Sequence, residues 1–182
     1  MPSKPSHPPR IYLAGPDVFF PDCDAIYARL KTLCSLLGMV GVAPTDSNAA
    51  EGFSGSDDAL AQRIYEGNVA LIEQADGVIA NLVPFRGLEP DSGTVFEVGY
   101  AIALGKPVVA YGVPTSTYAE RVAAAVDCAP DATGTLRETA TDTMVEGLGQ
   151  RLNLMLSRSA QLTPSAEAAL GKLAEQLVAR AA

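Results

Sequence analysis

Within Gly93-Thr-Val-Phe-Glu-Val-Gly-Tyr-Ala-Ile-Ala-Leu-Gly105 one charge, Glu97, stands among uncharged and mostly apolar residues. A helix that is apolar on all sides is a buried one, so this carboxylate is expected to be at least partly desolvated. An unpaired carboxylate there costs on the order of several kcal/mol unless it gains partners or takes up a proton. Two roles fit such a group: a structural acid bonded to a neighbouring loop or subunit, and a site carboxylate. The run follows an apolar stretch that reads as a strand. That places Glu97 near the carboxyl edge of a sheet, where open α/β folds bind ligands.

The preceding loop, Phe85-Arg-Gly-Leu-Glu-Pro-Asp-Ser-Gly-Thr94, adds Arg86, Glu89 and Asp91. Asp91 or Ser92 is the natural N-cap of the helix, and a carboxylate at that point is also placed to receive substrate hydroxyls. Arg86 and Glu89 read equally as solvated loop charges. Tyr12-Leu-Ala-Gly-Pro-Asp-Val-Phe19 ends a first strand at the same edge. A buried Tyr12 hydroxyl needs a partner, and a carboxylate at the sheet edge would serve. Gly15 allows the backbone to approach a ligand closely. Asn68 is the one polar residue on the apolar face of a long helix, either clamping a loop or meeting a ligand. Together these residue types suit chemistry at an anomeric carbon. An oxocarbenium-like centre is well served by a carboxylate nucleophile or acid/base and needs no imidazole and no metal.

Several other chemistries are excluded by the residue inventory. The only histidine, His7, lies in the Pro-rich segment 1–9, so no Ser-His-Asp or Cys-His site can be assembled in a packed interior. The three cysteines, Cys23, Cys34 and Cys128, have no C-x-x-C spacing and suit a reducing compartment. Neither a metal nor a cofactor is expected, since no ligand cluster, G-x-G-x-x-G or P-loop pattern occurs. With 13 Lys+Arg against 21 Asp+Glu the net charge is −8, which disfavours a nucleic-acid polymer or an anionic membrane as partner. No apolar run reaches a membrane span and no signal sequence is visible, so the location expected is cytoplasmic.

The elements that must position these residues follow from hydrophobic periodicity. Strands are expected at 10–14, 40–43, 77–83 and 107–111, and helices at 22–37, 57–74 and 93–104. Ile26, Leu30, Leu33 and Leu37 mark the buried stripe of the first helix, and Leu60, Ile64, Leu71, Ile72 and Ala75 that of the second. A helix over 118–126, an irregular insert over 129–143 and a short amphipathic segment over 148–156 follow. Thr163-Pro164 is expected to open a last helix. Strands that are continuous apolar runs, alternating with helices, define an α/β fold: a doubly wound parallel sheet, Rossmann-like and specifically flavodoxin-like. Residues 1–9 read as a flexible tail and 10–182 as a single domain.

The Tyr12–Phe19 segment and Ala75-Asp-Gly-Val-Ile-Ala-Asn-Leu-Val-Pro-Phe-Arg-Gly-Leu-Glu-Pro-Asp-Ser-Gly-Thr-Val-Phe-Glu-Val-Gly99 together resemble the nucleoside 2-deoxyribosyltransferase family. The Pro-Phe-Arg-Gly-x-Glu-Pro-Asp form is similar to trypanosomatid and some bacterial members. The likeness covers residues 10–112 and resumes over Val145–Leu156. It implies a Rossmann-like enzyme that exchanges the base of a 2′-deoxyribonucleoside by double displacement, acting in nucleoside salvage on small-molecule nucleosides and free bases. By the same resemblance Glu97 is the nucleophile at C1′, Tyr12 orients it, and Asp91 binds sugar hydroxyls. Asn153 then helps from a neighbouring subunit of a homo-oligomer, a dimer or a multiple of one, with Met155 lining the pocket. Gly15, Phe19, Asn68, Arg86 and Glu89 fall among the substrate-binding positions.

The chain departs from the family pattern at Asn68, where some members carry an Asp associated with the base. That leaves Asp17 and Glu89 as candidates to protonate the leaving base. It also ends in Ala-Arg-Ala-Ala182 rather than an aromatic residue whose carboxylate reaches the site, and residues 113–144 match poorly. Two rival readings are a deoxynucleoside or nucleotide N-glycoside hydrolase and a non-catalytic nucleoside-binding domain. The loop Gly15–Asp22 carries two carboxylates and no basic group, which favours an unphosphorylated substrate.

Overall fold

A computed structural model describes residues 7–181; the segment 1–6 of the expected tail lies outside the described residues. Four strands lie where the apolar runs place them: β1 (Arg10–Ala14), β2 (Val40–Val42), β3 (Gly77–Asn81) and β4 (Val108–Tyr111). Between them run α1 (Cys23–Leu36), α2 (Asp57–Gln74) and α3 (Ser92–Ala103). The sheet order is β2-β1-β3-β4-β7 with every pairing parallel, where β7 is Gln161–Leu162. Chain connections leave β1 toward one edge and β3 toward the other, so the switch point lies between these two strands.

Alternation along the strands divides the core in two. Tyr12, Ala14, Val78, Ala80 and Ala110 pack on one face with Ile72, Val98 and Ala101 of α2 and α3. Ile11, Leu13, Ile79 and Val109 pack on the other with α1 and the last helix, α6 (Ala166–Ala181). Both faces are covered, which is why the strands read as unbroken apolar runs.

Local chemistry sets the ends of the helices. Ser56 caps α2 by accepting from the Ala59 amide, and Gly38 adopts φ 73° where α1 terminates. The fully buried stripe of α1 is Tyr27, Leu30 and Cys34; of the expected Ile26, Leu30, Leu33 and Leu37, Leu30 is buried, Ile26 and Leu33 pack partly buried against the same cluster, and Leu37 is exposed. Helical spacing holds, but the face is rotated by one residue. In α2 only Ile72 is fully buried and Ile64 is 40% exposed. Tyr65 there meets Phe96 of α3, whose ring stacks on Tyr100.

The second half of the chain differs more from expectation. Residues 129–143 are not an irregular insert. After α4 (Tyr118–Ala125), β5 (Cys128–Pro130) and β6 (Leu136–Glu138) pair antiparallel. Asp131 closes their turn by accepting from the Thr133 and Thr135 amides and from Arg137 Nε. The amphipathic segment 148–156 is helical only as α5 (Leu154–Ser159). Thr163 does not cap the last helix. Its hydroxyl donates to the Ala110 carbonyl at 3.0 Å, and Ser165 Oγ accepts from the Ala168 amide instead. The two residues before Thr163 are thereby free to extend the sheet as β7.

One glycine is required at the sheet edge. Gly112 has φ +79°, and a Cβ there would lie 2.3 Å from Asn81 Oδ1. That amide cannot swing aside freely, because its nitrogen donates to both oxygens of Asp17, at 3.0 and 3.2 Å. Gly112→Ala is expected to lower the unfolding free energy by about 1–3 kcal/mol, read from chemical denaturation.

Candidate active site

From the middle of β1 the Tyr12 side chain points to the α2/α3 face and is fully buried. Glu97 lies in the second turn of α3, on the side turned to the sheet, and is 9% exposed. The Tyr12 hydroxyl donates to Glu97 Oε1 at 2.6 Å. Burial drives the Glu97 pKa up to about 7. The bond from Tyr12 opposes that rise and the charge of Asp91 adds to it. Tyr12 is held far above the usual phenol value, first by burial and then by the Glu97 charge, so it stays a donor. Oε2 of Glu97 accepts no hydrogen bond from the described residues.

Asp91 is the N-cap of α3. Its Oδ2 accepts from the Thr94 amide and from Thr94 Oγ1, both at 2.9 Å. The capping role is therefore real, yet it uses one oxygen; Oδ1 accepts nothing from the described residues. Thr94, 1% exposed, thus fixes the cap and was not singled out by sequence reasoning. A Thr three residues after an Asp cap was the available signal.

Behind this pair stand three polar groups. Asp17, 5% exposed, accepts from Asn81, and its burial holds the carboxyl above the usual range against the lowering bond from Asn81. Tyr27 is 3% exposed, and its hydroxyl has no hydrogen-bond partner among the described residues. Its pKa is raised by burial first, then by the charges of Asp17 and Glu97. Periodicity marked the first helix only for its aliphatic stripe, so this hydroxyl had no signal of its own. Gly15 makes room for its own neighbours rather than for a ligand, since a Cβ would meet Asp17 Oδ2 at 2.4 Å and Asn81 Cβ at 2.9 Å.

Over the same sheet edge, Phe19 stacks on Phe85 with ring centres 5.4 Å apart, and the Arg86 guanidinium lies 4.8 Å from the Phe85 centroid and 5.6 Å from that of Phe19. Phe19 stays 57% exposed. Arg86 is thus part of an aromatic stack rather than a free loop charge. Asn68 does not act as a satisfied clamp: its Oδ1 is buried without a partner among the described residues.

Asn153, Met155 and Glu89 are not brought to Glu97. They border a groove of about 630 Å³ on another flank of α3, lined by Val95, Val98, Gly99 and Ile102 at helical spacing. Glu97 is outside that stripe. Asn153 caps α5, with Oδ1 accepting from the Met155 amide at 3.0 Å, and Met155 is 71% exposed.

The parallel sheet thus carries a desolvated carboxylate, an oriented phenol and a half-used aspartate near its switch point, the candidate site of the molecule. The family model described as nucleoside 2-deoxyribosyltransferase matches residues 11–155, and the chain belongs to that family. Its structure is similar to that of a 2-deoxyribosyltransferase from Leishmania mexicana, with 32% identity and a TM-score of 0.68 over 92% of this chain and 98% of that one. A conserved protein from Enterococcus faecalis V583 shares the fold at 20% identity and TM-score 0.54, over 95% of this chain and 99% of that one. An uncharacterized protein of Schizosaccharomyces pombe is 36% identical over 123 residues, which is 66% of this chain; the chain spans 57% of the length of that curated relative.

The raised Glu97 pKa carries a stability consequence. The folded state holds this proton more tightly than the unfolded chain, so its contribution is complete below about 4.5 and is lost as the pH rises through about 7. A neutral amide does not lose it. Glu97→Gln is therefore expected to be more stable than wild type by on the order of 1–3 kcal/mol near pH 8, with the gap closing toward about pH 5 in thermal melts.

Proposed function

We propose that this protein transfers 2-deoxyribose between nucleobases by double displacement at Glu97. The observation that carries this reading is the Tyr12–Glu97 contact: the phenol occupies Oε1 at 2.6 Å and leaves Oε2 for attack. In the first step Oε2 bonds to C1′ of a 2′-deoxynucleoside. The C1′–N bond breaks, its electron pair leaves with the base nitrogen, and that base takes up a proton. In the second step a nitrogen of the acceptor base bonds to C1′, the ester bond to Glu97 breaks, and the acceptor loses its proton. Desolvation makes the carboxylate a better nucleophile than an exposed one, while Tyr12 holds its orientation.

Asp91 receives a sugar hydroxyl at Oδ1, the oxygen its cap leaves unused. Asn153, which lies across α3 from its own Glu97, serves a neighbouring subunit of a homodimer or a multiple of one, with the exposed Met155 beside it. Phe19 and the Phe85–Arg86 stack offer an aromatic face to the base, and the unpaired Asn68 oxygen accepts from a ring or exocyclic N–H. Asp17 is favoured over the exposed Glu89 to supply the proton of the leaving base, because burial keeps a proton on it more readily. Gly15 packs these groups closely. The substrates are nucleosides and free bases, and the role fits nucleoside salvage in the cytoplasm. No helix of the described residues is long and apolar enough to cross a membrane.

Incubation with deoxyinosine or thymidine, with and without adenine or cytosine, tests the reading by chromatography. A new deoxynucleoside is expected only when the acceptor is present; free base released equally in both tubes would mean a hydrolase. Glu97→Gln should lose about 10³-fold or more in rate. The pH profile of kcat/KM should fall on the acid side of about 7. Tyr12→Phe should move that limb upward, because Tyr12 lowers the Glu97 pKa.

A further inference from the structure

Glu146 lies between β6 and α5, half-buried, inside the Val145–Leu156 stretch of likeness but with no role assigned to it there. Its Oε1 accepts from the Leu154 amide at 2.7 Å, and its Oε2 accepts from Asn153 Nδ2 at 3.1 Å. The Asn153 carbonyl oxygen is taken up on its other side by the Met155 amide at 3.0 Å. Every part of that side-chain amide is thus assigned. Its oxygen is turned to the start of α5, one N–H is spent on a carboxylate, and one N–H remains uncommitted. A flipped amide would set its oxygen against the Glu146 carboxylate and its NH2 against the Met155 N–H, losing two bonds and creating two repulsions.

We infer that Glu146 is a positioning residue that fixes the polarity of Asn153, so that Asn153 donates to the substrate and does not accept from it. This rests on the reading of Asn153 as a sugar contact. The substrate group it meets is an oxygen acting as acceptor. Asp91, whose free Oδ1 is acceptor only, reads the complementary proton of a sugar hydroxyl. The two residues therefore sense opposite halves of hydroxyl chemistry, and a sugar lacking those hydroxyls leaves both unpaired.

The consequence is specific to a carboxylate at position 146. Glutamine can satisfy the Leu154 amide or the Asn153 NH2 with its one oxygen, but its own NH2 then faces the other donor. Glu146→Gln is nearly isosteric and still frees the Asn153 amide to turn.

A double-mutant cycle on the full chain tests the inference, with deoxyinosine as donor and adenine as acceptor. N153A and E146Q are each expected to lower kcat/KM for the nucleoside by about tenfold, mainly through KM, the effect of one well-placed hydrogen bond. E146Q added to N153A should cost nothing further, because the residue acts through Asn153. In heteronuclear NMR the Asn153 side-chain amide protons, identified by their loss in N153A, should exchange slowly with solvent in wild type and fast in E146Q. A further tenfold loss from E146Q in the N153A background overturns the inference and leaves the sugar contact standing, as does an unchanged amide exchange rate. A wild-type rate in N153A overturns the reading of Asn153 and the inference with it. Should E146Q fail to fold, E146A takes its place in the same cycle.

Discussion

The hydrogen bond from Tyr12 to Glu97 joins β1, an inner strand of the sheet, to the helix that packs beside it, where both side chains are buried. A carboxylate in that position is costly when charged. The phenol offsets part of the cost without neutralising the group, and the remaining strain is what the burial-raised pKa near 7 expresses. Little else in the site would be useful without this pair. Asp91 and Thr94 start α3 at the point that carries Glu97 to Tyr12, and the β1–β3 pairing sets the height at which the two side chains meet.

The surrounding architecture supports that contact from both faces. Ile11 and Leu13 anchor β1 against α1 and α6, while Tyr12 and Ala14 face α2 and α3. Asp17 and Asn81 bridge the ends of β1 and β3, and Gly112 leaves room for their amide–carboxylate pair. The switch point of the sheet is therefore lined by buried polar groups that are mostly paired. Tyr27 Oη and Asn68 Oδ1 are the exceptions, each buried and without a partner among the described residues.

Much of this was legible in the residues because each signal was local. A lone charge in an apolar helix picked out Glu97, an apolar run ending in Gly-Pro picked out β1, and the spacing of Leu60, Leu71 and Ile72 picked out α2. What failed depended on contacts distant in sequence. β7 is only two residues long and exists because Thr163 bonds to Ala110. The stripe of α1 came out rotated by one residue because Tyr27 and Cys34 are fully buried, while Ile26 and Leu33 pack only partly buried at the edge of the same cluster. Glu146 had no periodicity to mark it, since its role appears only when the chain curls back onto Asn153. The exposed Ile64 and Tyr65 show that an apolar stripe does not by itself say which part of a helix the core will cover.

The central claim is that Oε2 of Glu97, the carboxylate oxygen that Tyr12 leaves open, forms a bond to the anomeric carbon of a deoxyribosyl group. Mass spectrometry of the protein quenched in acid during turnover of deoxyinosine, followed by peptide mapping, tests it most directly. One anhydrodeoxyribosyl unit is predicted on the peptide that contains Glu97, discharged on addition of adenine. A protein that turns the nucleoside over with no such adduct, or with the adduct on another carboxylate, would contradict it.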